Sequence, residues 1–317
     1  MILLSPVRLL LLALSGCFTE VVDDFNNTCP QFFVNPGGIR SPPTVFTGKN
    51  YKQICQIRDN EHEYATLYDT DNKIPVYSAY RFEGLKNCDR ADKWYIEPQL
   101  EDISKGKKME RENKSVQYIH QAVNADYYKT GFHRGHLAPV FHAKTQSCAD
   151  ATFTLTNAAP QDKIFNKGQW KKTEKDVAIL LVDKCKGNSR YIVTGVVPDK
   201  NRTPLNKRVT VPSHFWTAYC CIDNNHKVTA SGGYLGKNKQ VQVEALPVGE
   251  LDKRLTALYG QRSFQVFGGK CDKSITNFAL IQSRGLSLIL CLDDDLFPTL
   301  FEKRKCMTLL RQKRKGR

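Results

Sequence analysis

The sequence predicts an α+β fold in a single domain. Short runs rich in β-branched and aromatic residues recur along the chain, and one segment shows helical periodicity. These runs do not alternate with helices in the regular order that builds a parallel sheet. No internal repeat or low-complexity linker divides residues 20–300, and an apolar fraction of 41 % in 317 residues is enough for a buried core.

The predicted elements follow from local composition. The predicted strands are residues 65–68, 74–82, 115–119, 153–156, 190–197, 215–221 and 286–292. The predicted helix spans residues 167–184, because Trp170, Val177 and Leu181 recur there on one helical face.

Residues 1–19 have the pattern of a secretory signal peptide. Arg8 precedes an apolar run at residues 9–14, and small residues follow at Ser15 and Gly16. The run is shorter than the ~20 apolar residues of a membrane span. We therefore expect a secreted, extracellular chain without a transmembrane segment; a buried N-terminal helix is the alternative.

Cysteine usage agrees with export. The chain has 11 cysteines, and ten remain if Cys17 is removed with the signal peptide. In an oxidising compartment this even number predicts disulfides, up to five, whose pairing the sequence leaves open. The spacings contain no C-x-x-C pair, which argues against a zinc site built on cysteine. Sequons at Asn26, Asn113 and Asn201 predict sites for N-linked glycans.

The positive charge predicts a polyanionic partner. Lys and Arg number 47 against 32 Asp and Glu, a formal net charge of +15. Such an excess favours nucleic acid, a sulfated sugar or an anionic membrane surface. Basic residues are concentrated in the C-terminal tail, residues 302–317, and again at residues 161–175. We expect a folded domain at residues 20–301, followed by a tail that is either a solvated end or a further polyanion contact.

Two segments concentrate the residues that carry chemistry. The first, GFHRGHLAP at residues 131–139, offers His136 as a base and Arg134 as a phosphate-binding cation. The second offers the amide oxygens of Asn157 and Asn166 and the carboxylate of Glu174. The last two are eight residues apart, so in a regular helix they project within roughly 80° of each other and face one ion. These groups are the ones needed to hydrolyse a phosphodiester with a hard metal ion.

The motifs resemble those of the DNA/RNA non-specific endonucleases of the ββα-metal (His-Me finger) type. The family signature is Asp-Arg-Gly-His, then Asn-x-x-Pro-Gln, then Asn-x-Gly-x-Trp-x-x-x-Glu. The second and third elements are matched in full by Asn157, Pro160, Gln161, Asn166, Gly168, Trp170 and Glu174. The stretches PQFFVNP, YATLYDTDNKIPVYSAYRF, WYIEPQL and VPSHFWTAYCC look like the vertebrate branch of endonuclease domain-containing 1 proteins. The resemblance covers residues 28–295.

The resemblance implies a mainly antiparallel central sheet flanked by helices, with a ββα-metal motif at the active site. It implies that His136 is the general base that activates water. Asn166 would be the direct protein ligand of one Mg²⁺ or Mn²⁺ ion, and Glu174 would hold the water shell of that ion. Arg134 and Asn157 would position the scissile phosphate of DNA or RNA, with little sequence preference.

His133 departs from the family pattern, since the first motif usually begins with Asp. The departure keeps a second hypothesis open: a catalytically impaired member that binds extracellular nucleic acid or another polyanion. Two further alternatives are a zinc site formed by His133, His136 and His142, and a disulfide-rich interaction protein in which the motif residues are ordinary turn and cap residues.

Overall fold

A computed structural model describes residues 21–59 and 61–272. The strands are β1 (Val21–Val22), β2 (Tyr51–Arg58), β3 (Glu61–Asp69), β4 (Ile74–Arg81), β5 (Phe132–His136), β6 (Ala158–Asp162), β7 (Ser189–Pro198), β8 (Pro212–Ile222), β9 (Val228–Lys237) and β10 (Glu244–Leu246). The helices are α1 (Phe25–Thr28), α2 (Pro98–Glu101), α3 (Asn124–Tyr127), α4 (Gln146–Ala151), α5 (Lys163–Phe165), α6 (Lys171–Lys184) and α7 (Val248–Tyr259). A π-helical turn, Asn166–Trp170, joins α5 to α6.

One large sheet organises the fold. Its strand order is β1-β2-β3-β4-β7-β8-β9-β10, and β5 pairs with β6 in a separate ribbon. All of the described strand pairs are antiparallel. The predicted α+β class with a mainly antiparallel central sheet is therefore confirmed. Between β4 and β7 the chain leaves the sheet and builds the ribbon and helices α2 to α6, so one long insertion carries every motif predicted to do chemistry.

Strand β8 shows how the sheet is covered on both faces. Trp216 and Cys220 lie in the core cluster formed with α7, whereas Phe215 packs with the β5–β6 ribbon and Tyr219 packs with α6. Successive residues of a strand point to opposite faces, so α7 lies on one face and the ribbon and α6 on the other. Because both faces are buried, β8 is apolar at consecutive positions.

Three disulfides join described cysteines: Cys29–Cys55, Cys185–Cys221 and Cys220–Cys271. Cys220 and Cys221 are neighbours in β8, so their side chains leave opposite faces of the strand. The Cys185–Cys221 bond therefore ties the end of α6 to one face of the sheet, and the Cys220–Cys271 bond ties the segment after α7 to the other face. The expectation of disulfides is confirmed for these pairs, while Cys88 and Cys148 are free thiols.

Most of the predicted elements are present. The confirmed strand predictions are residues 65–68, 74–82, 190–197 and 215–221. The predicted helix is confirmed as α6 from Lys171 onward; before it, Gly168 has φ −100° and ψ −106°, which widens the first turn. Among the longer elements, β2, β9 and α7 were not predicted from the sequence. Three predictions lie outside the described residues: the signal peptide at 1–19, the strand at 286–292 and the basic tail at 302–317.

Two predicted strands are wrong, because the chain turns at each of these places. At residues 115–119 the chain forms a turn closed by the Asn113 side chain, which accepts a backbone N–H at 3.0 Å. At residues 153–156 the threonine hydroxyls contact the buried carboxylate of Glu97, and the chain continues into a 3-10 turn. None of the described helices is long and apolar enough to cross a membrane.

Removing the Cys220–Cys271 disulfide should weaken the fold on the α7 face. The bond closes a sequence separation of 51 residues. We expect its replacement by two alanines to lower the free energy of unfolding by about 2–4 kcal/mol, because the unfolded chain gains conformational freedom. Urea unfolding followed by tryptophan fluorescence measures this loss. The matched control is Cys88→Ala, which removes a free thiol and is expected to cost about 0.5 kcal/mol or less; equal losses would contradict the prediction.

Candidate active site

The β5–β6 ribbon presents His136 and Arg134 together. Residues two apart in a strand share a face, so both side chains project from the same side of β5. Gly135 lies between them and pairs with Ala159 of β6. A Cβ atom at this glycine would lie 2.6 Å from the Cβ of Gln161, so only glycine allows the two strands to approach this closely.

A cleft of about 780 Å³ gathers four of the five predicted site residues: Arg134, His136, Asn166 and Glu174. The cationic side chains that line it are Lys86, Arg90, Lys129, Arg134, Lys167, Lys171 and Lys175. Asp92 and Glu174 are its acidic lining residues, so the cleft carries a marked excess of positive charge. The fifth predicted residue, Asn157, does not line it.

His136 is held as a neutral imidazole. The centroid of its ring lies 4.8 Å from that of Trp94 and 5.0 Å from that of Phe153. Burial, together with the positive charges of Arg90 and Arg134, lowers the pKa of His136 to about 3. Its Nε2 atom has no hydrogen-bond partner among the described residues. The ring is therefore uncharged at neutral pH, with one nitrogen free to accept a proton, which is the state that a general base requires.

Asn166 and Glu174 lie at the start of the helical run that follows the ribbon. Asn166 begins the π-helical turn, and Glu174 lies in the first turn of α6. Burial raises the pKa of the Glu174 carboxyl to about 8, against the opposing effect of Arg90 and Lys171. A cation placed in the cleft would favour the charged carboxylate and reverse this shift. The two side chains thus line one cleft, although the turn between them is not the regular helix assumed from the sequence.

His142 supports the backbone of Glu174. Its Nε2 atom lies 2.9 Å from the Glu174 carbonyl oxygen, and its Nδ1 atom lies 2.9 Å from the Tyr80 hydroxyl. A carbonyl oxygen only accepts, so Nε2 carries the proton and Nδ1 accepts from the hydroxyl. Burial lowers the pKa of His142 to about 4, which keeps the ring neutral.

The zinc hypothesis is not supported. Both ring nitrogens of His142 are already hydrogen-bonded, so this side chain has no atom left for a metal. Within residues 21–59 and 61–272, no group of three or more His, Cys, Asp or Glu side chains is arranged to hold a metal ion.

Asn157 lies behind the cleft, whereas the resemblance implied that it positions the scissile phosphate and its surroundings. Its side chain is fully buried. Its Oδ1 atom accepts from the Ser78 hydroxyl and the Ala138 N–H, each at 2.9 Å. Its Nδ2 atom donates to the carbonyl oxygens of Ala138 at 2.9 Å and Thr152 at 3.0 Å. With every polar atom used inside the protein, Asn157 acts as a positioning residue that ties the chain after His136 to β4.

Arg90 and Trp94 line the cleft and were not singled out from the sequence. The charge of Arg90 acts on both His136 and Glu174. Trp94 packs against His136, and the Arg134 guanidinium lies 5.2 Å from its ring. Both belong to the segment that follows β4, distant in sequence from the motifs. The available signals were the basic composition of that segment and the WYIEPQL stretch, to which no role was assigned.

Residues 42–266 match the model of the DNA/RNA non-specific endonuclease family. The chain belongs to this family. The matched residues of this chain include all five predicted site residues of the endonuclease, together with Arg90 and Trp94. The resemblance inferred from the motifs is confirmed.

Three relatives illustrate the range of similarity within this endonuclease family. The chain is 30 % identical over 238 residues to the Endonuclease domain-containing 1 protein of Homo sapiens, covering 72 % of this chain and 45 % of that protein. It is 47 % identical over 121 residues to the mitochondrial Endonuclease G of Homo sapiens, covering 33 % and 39 %. It is 29 % identical over 229 residues to Nuclease C1 of Cunninghamella echinulata var. echinulata, covering 65 % and 84 %.

The match does not extend over the whole of every relative. The chain aligns with 45 % of the length of the human and the mouse Endonuclease domain-containing 1 proteins. Among solved structures, a chain in the crystal structure of the EndoG/EndoGI complex is similar with a TM-score of 0.48 and 20 % identity, covering 67 % of this chain and 86 % of that one.

His133 stands where the endonuclease family usually has Asp, and the structure shows its surroundings. It pairs with Gln161 across the ribbon and lines the cleft. Burial, with the charges of Lys167 and Lys163, lowers the pKa of His133. The charged form of this ring is therefore disfavoured beside the two lysines, at a position where a carboxylate would offset their charge.

The buried His142 should make the fold sensitive to acid. The unfolded chain protonates this residue near pH ~6.5, but the folded chain does so only near its pKa of about 4. Unfolding therefore takes up a proton between these values, and the free energy of unfolding falls as the pH is lowered through that window, by on the order of 3 kcal/mol. Thermal unfolding between pH 7 and pH 4 measures the slope.

His142→Gln should reduce this slope, because it retains an N–H donor and removes the titration of one buried histidine; the part that remains belongs to His136, whose pKa is also low. The matched control is His226→Gln, which changes an exposed histidine in the β8–β9 turn and should keep the wild-type slope. A slope unchanged by His142→Gln would contradict the prediction.

Proposed function

We propose that this protein is a secreted, metal-dependent endonuclease that hydrolyses phosphodiester bonds of DNA, RNA or both with little sequence specificity. The observation that carries the proposal is the convergence of Arg134, a neutral His136, Asn166 and Glu174 on one cleft lined by basic side chains. Lysines bind phosphates without reading bases, which supports the lack of sequence preference. The three disulfides support an oxidising compartment.

The donor set of the cleft fits Mg²⁺ or Mn²⁺. Asn166 offers a neutral amide oxygen and Glu174 a carboxylate, and both line the cleft. Hard cations prefer such oxygen donors, and Mg²⁺ keeps several waters, so few protein ligands suffice. Asn166 would hold the ion directly, and Glu174 would hold it through water. When bound, the ion supplies positive charge that stabilises the phosphate during cleavage.

The chain's own residues provide the base and the phosphate contact. His136 is neutral and accepts the proton of the attacking water. The Arg134 guanidinium is fixed between aromatic rings, 5.2 Å from Trp94 and 5.8 Å from Tyr127. A guanidinium held in one orientation binds a phosphate oxygen with little loss of entropy, so the scissile group is oriented relative to the base.

A second function is favoured by one observation, the presence of His133 beside Lys163 and Lys167. In that case the protein is a catalytically impaired family member that binds nucleic acid or another polyanion. The basic cleft would serve binding alone, and the basic residues at 302–317 would add to it.

Substitution of His136 by alanine tests catalysis. We expect the rate of plasmid nicking and of RNA cleavage with Mg²⁺ to fall by about 10²-fold or more, because general-base catalysis contributes about 10²–10⁴-fold. EDTA should abolish wild-type activity, and His226→Ala should leave it within a factor of about 2. If wild type and His136→Ala leave both substrates equally intact with Mg²⁺ and with Mn²⁺, the endonuclease function fails; salt-sensitive DNA binding would then support the second function.

Substitution of His133 by aspartate separates the two functions. For an active endonuclease, we expect kcat/KM to change by less than about 10-fold, since His136, Arg134, Asn166 and Glu174 are all present. A gain of about 10²-fold or more would mean that His133 impairs the site and would support the second function. His133→Asn is the matched control, because it shortens the side chain without adding a negative charge.

A further inference from the structure

A second groove runs on from the cleft. It encloses about 720 Å³, similar in size to the cleft, and the two share Asp92, Trp94 and Arg134 as lining residues. Arg134 therefore faces both spaces. A polymer bound with one phosphate at this guanidinium has a continuous surface along which to extend. We infer that this groove binds the nucleic-acid strand on one side of the scissile phosphate, through Lys93, Arg111 and Lys114; the inference rests on the proposed function.

The acidic side chains of the groove are engaged by the protein itself. The Glu112 carboxylate accepts the backbone N–H of Asn124 at 3.0 Å and its side-chain amide at 2.9 Å. The Asp92 carboxylate accepts the indole N–H of Trp94 at 3.1 Å. These bonds fix the groove walls, and they orient Trp94 against Arg134. The two carboxylates keep their negative charge, but the five basic side chains that line the groove outnumber them, so the groove as a whole attracts an anion.

Besides Arg134, one basic residue of the groove is committed to the fold and three are exposed. Arg208 is committed to the fold, because its Nε atom donates to Asp126 at 3.0 Å and its terminal nitrogen donates to two backbone carbonyls. Lys93, Arg111 and Lys114 are exposed. In the described part of the chain, no carboxylate lies within ion-pair distance of Lys93 or Lys114. Their charges are therefore open to an external anion.

The chemistry of the groove fits a single polynucleotide strand. Successive phosphates provide anions at regular spacing, and the contact at Arg134 gives the strand its starting point. Val116, which is 45 % exposed, adds an apolar surface for a sugar or a base. Such contacts carry little sequence information, in agreement with a non-specific enzyme. The consequence is a preference for length: a substrate that reaches the groove binds more tightly than one that ends at Arg134.

Lys93→Ala/Lys114→Ala tests the groove. The substrates are fluorescein-labelled single-stranded oligothymidylates, one of three nucleotides and one of twenty. We expect the double variant to raise KM about 5–10-fold for the long substrate and to leave kcat/KM for the short one unchanged, since neither lysine lines the cleft. Binding of the long substrate, measured by anisotropy on the His136→Ala background, should show a plot of log Kd against log salt that is shallower by about 1.4, or about 0.7 for each lost phosphate contact.

The matched control is Lys253→Ala/Lys270→Ala, which removes two exposed lysines from the α7 side of the sheet. Lys114→Ala retains the Asn-x-Ser sequon at Asn113, so glycosylation is not altered. Equal effects of the test and control variants on KM and on the salt slope would overturn the inference that the groove binds the strand. If the wild type cleaves neither substrate but the salt slope changes only in the test variant, strand binding by the groove is supported and the endonuclease function fails.

Discussion

The four hydrogen bonds of the Asn157 side chain connect the candidate active site to the central sheet. They join Ser78 in β4, Ala138 just after His136, and Thr152 after α4. A buried polar group that loses its partner costs about 1–3 kcal/mol, so no local rearrangement can release this amide cheaply. The β5–β6 ribbon is therefore held in one position against the sheet, and the direction of His136 follows from it.

Close packing in the ribbon adds a second constraint of the same kind. Gly135 lets β5 approach Gln161 of β6, and the neighbouring Arg134 and His136 consequently project into the cleft. On the other side, His142 holds the backbone of Glu174 with a neutral ring. Buried hydrogen bonds of this type constrain angles as well as distances, and they set the base, the arginine and the carboxylate around one space.

Burial acts in opposite senses on His136 and Glu174, two of the titratable groups of the cleft. It lowers the pKa of His136 and raises the pKa of Glu174, in both cases by disfavouring the charged form. A neutral imidazole suits the role of a base, whereas a carboxyl with a raised pKa gains most from a nearby cation. Arg90 and Arg134 contribute to the low pKa of His136, and together with the lysines of the cleft they attract phosphate, so one electrostatic environment serves both the base and the substrate.

The sequence by itself determined the α+β class, four strands of the central sheet (β3, β4, β7 and β8) and four residues of the cleft. Those predictions depend on local composition and on spacing within short motifs, which a linear sequence contains in full. Only the tertiary structure decided that Asn157 is internal, that Arg90 and Trp94 belong to the cleft, and that a second groove continues from Arg134. The physical reason is that burial and the proximity of distant segments are properties of the packed chain: an asparagine in a motif has the same letters whether its amide meets a phosphate or four partners inside the protein.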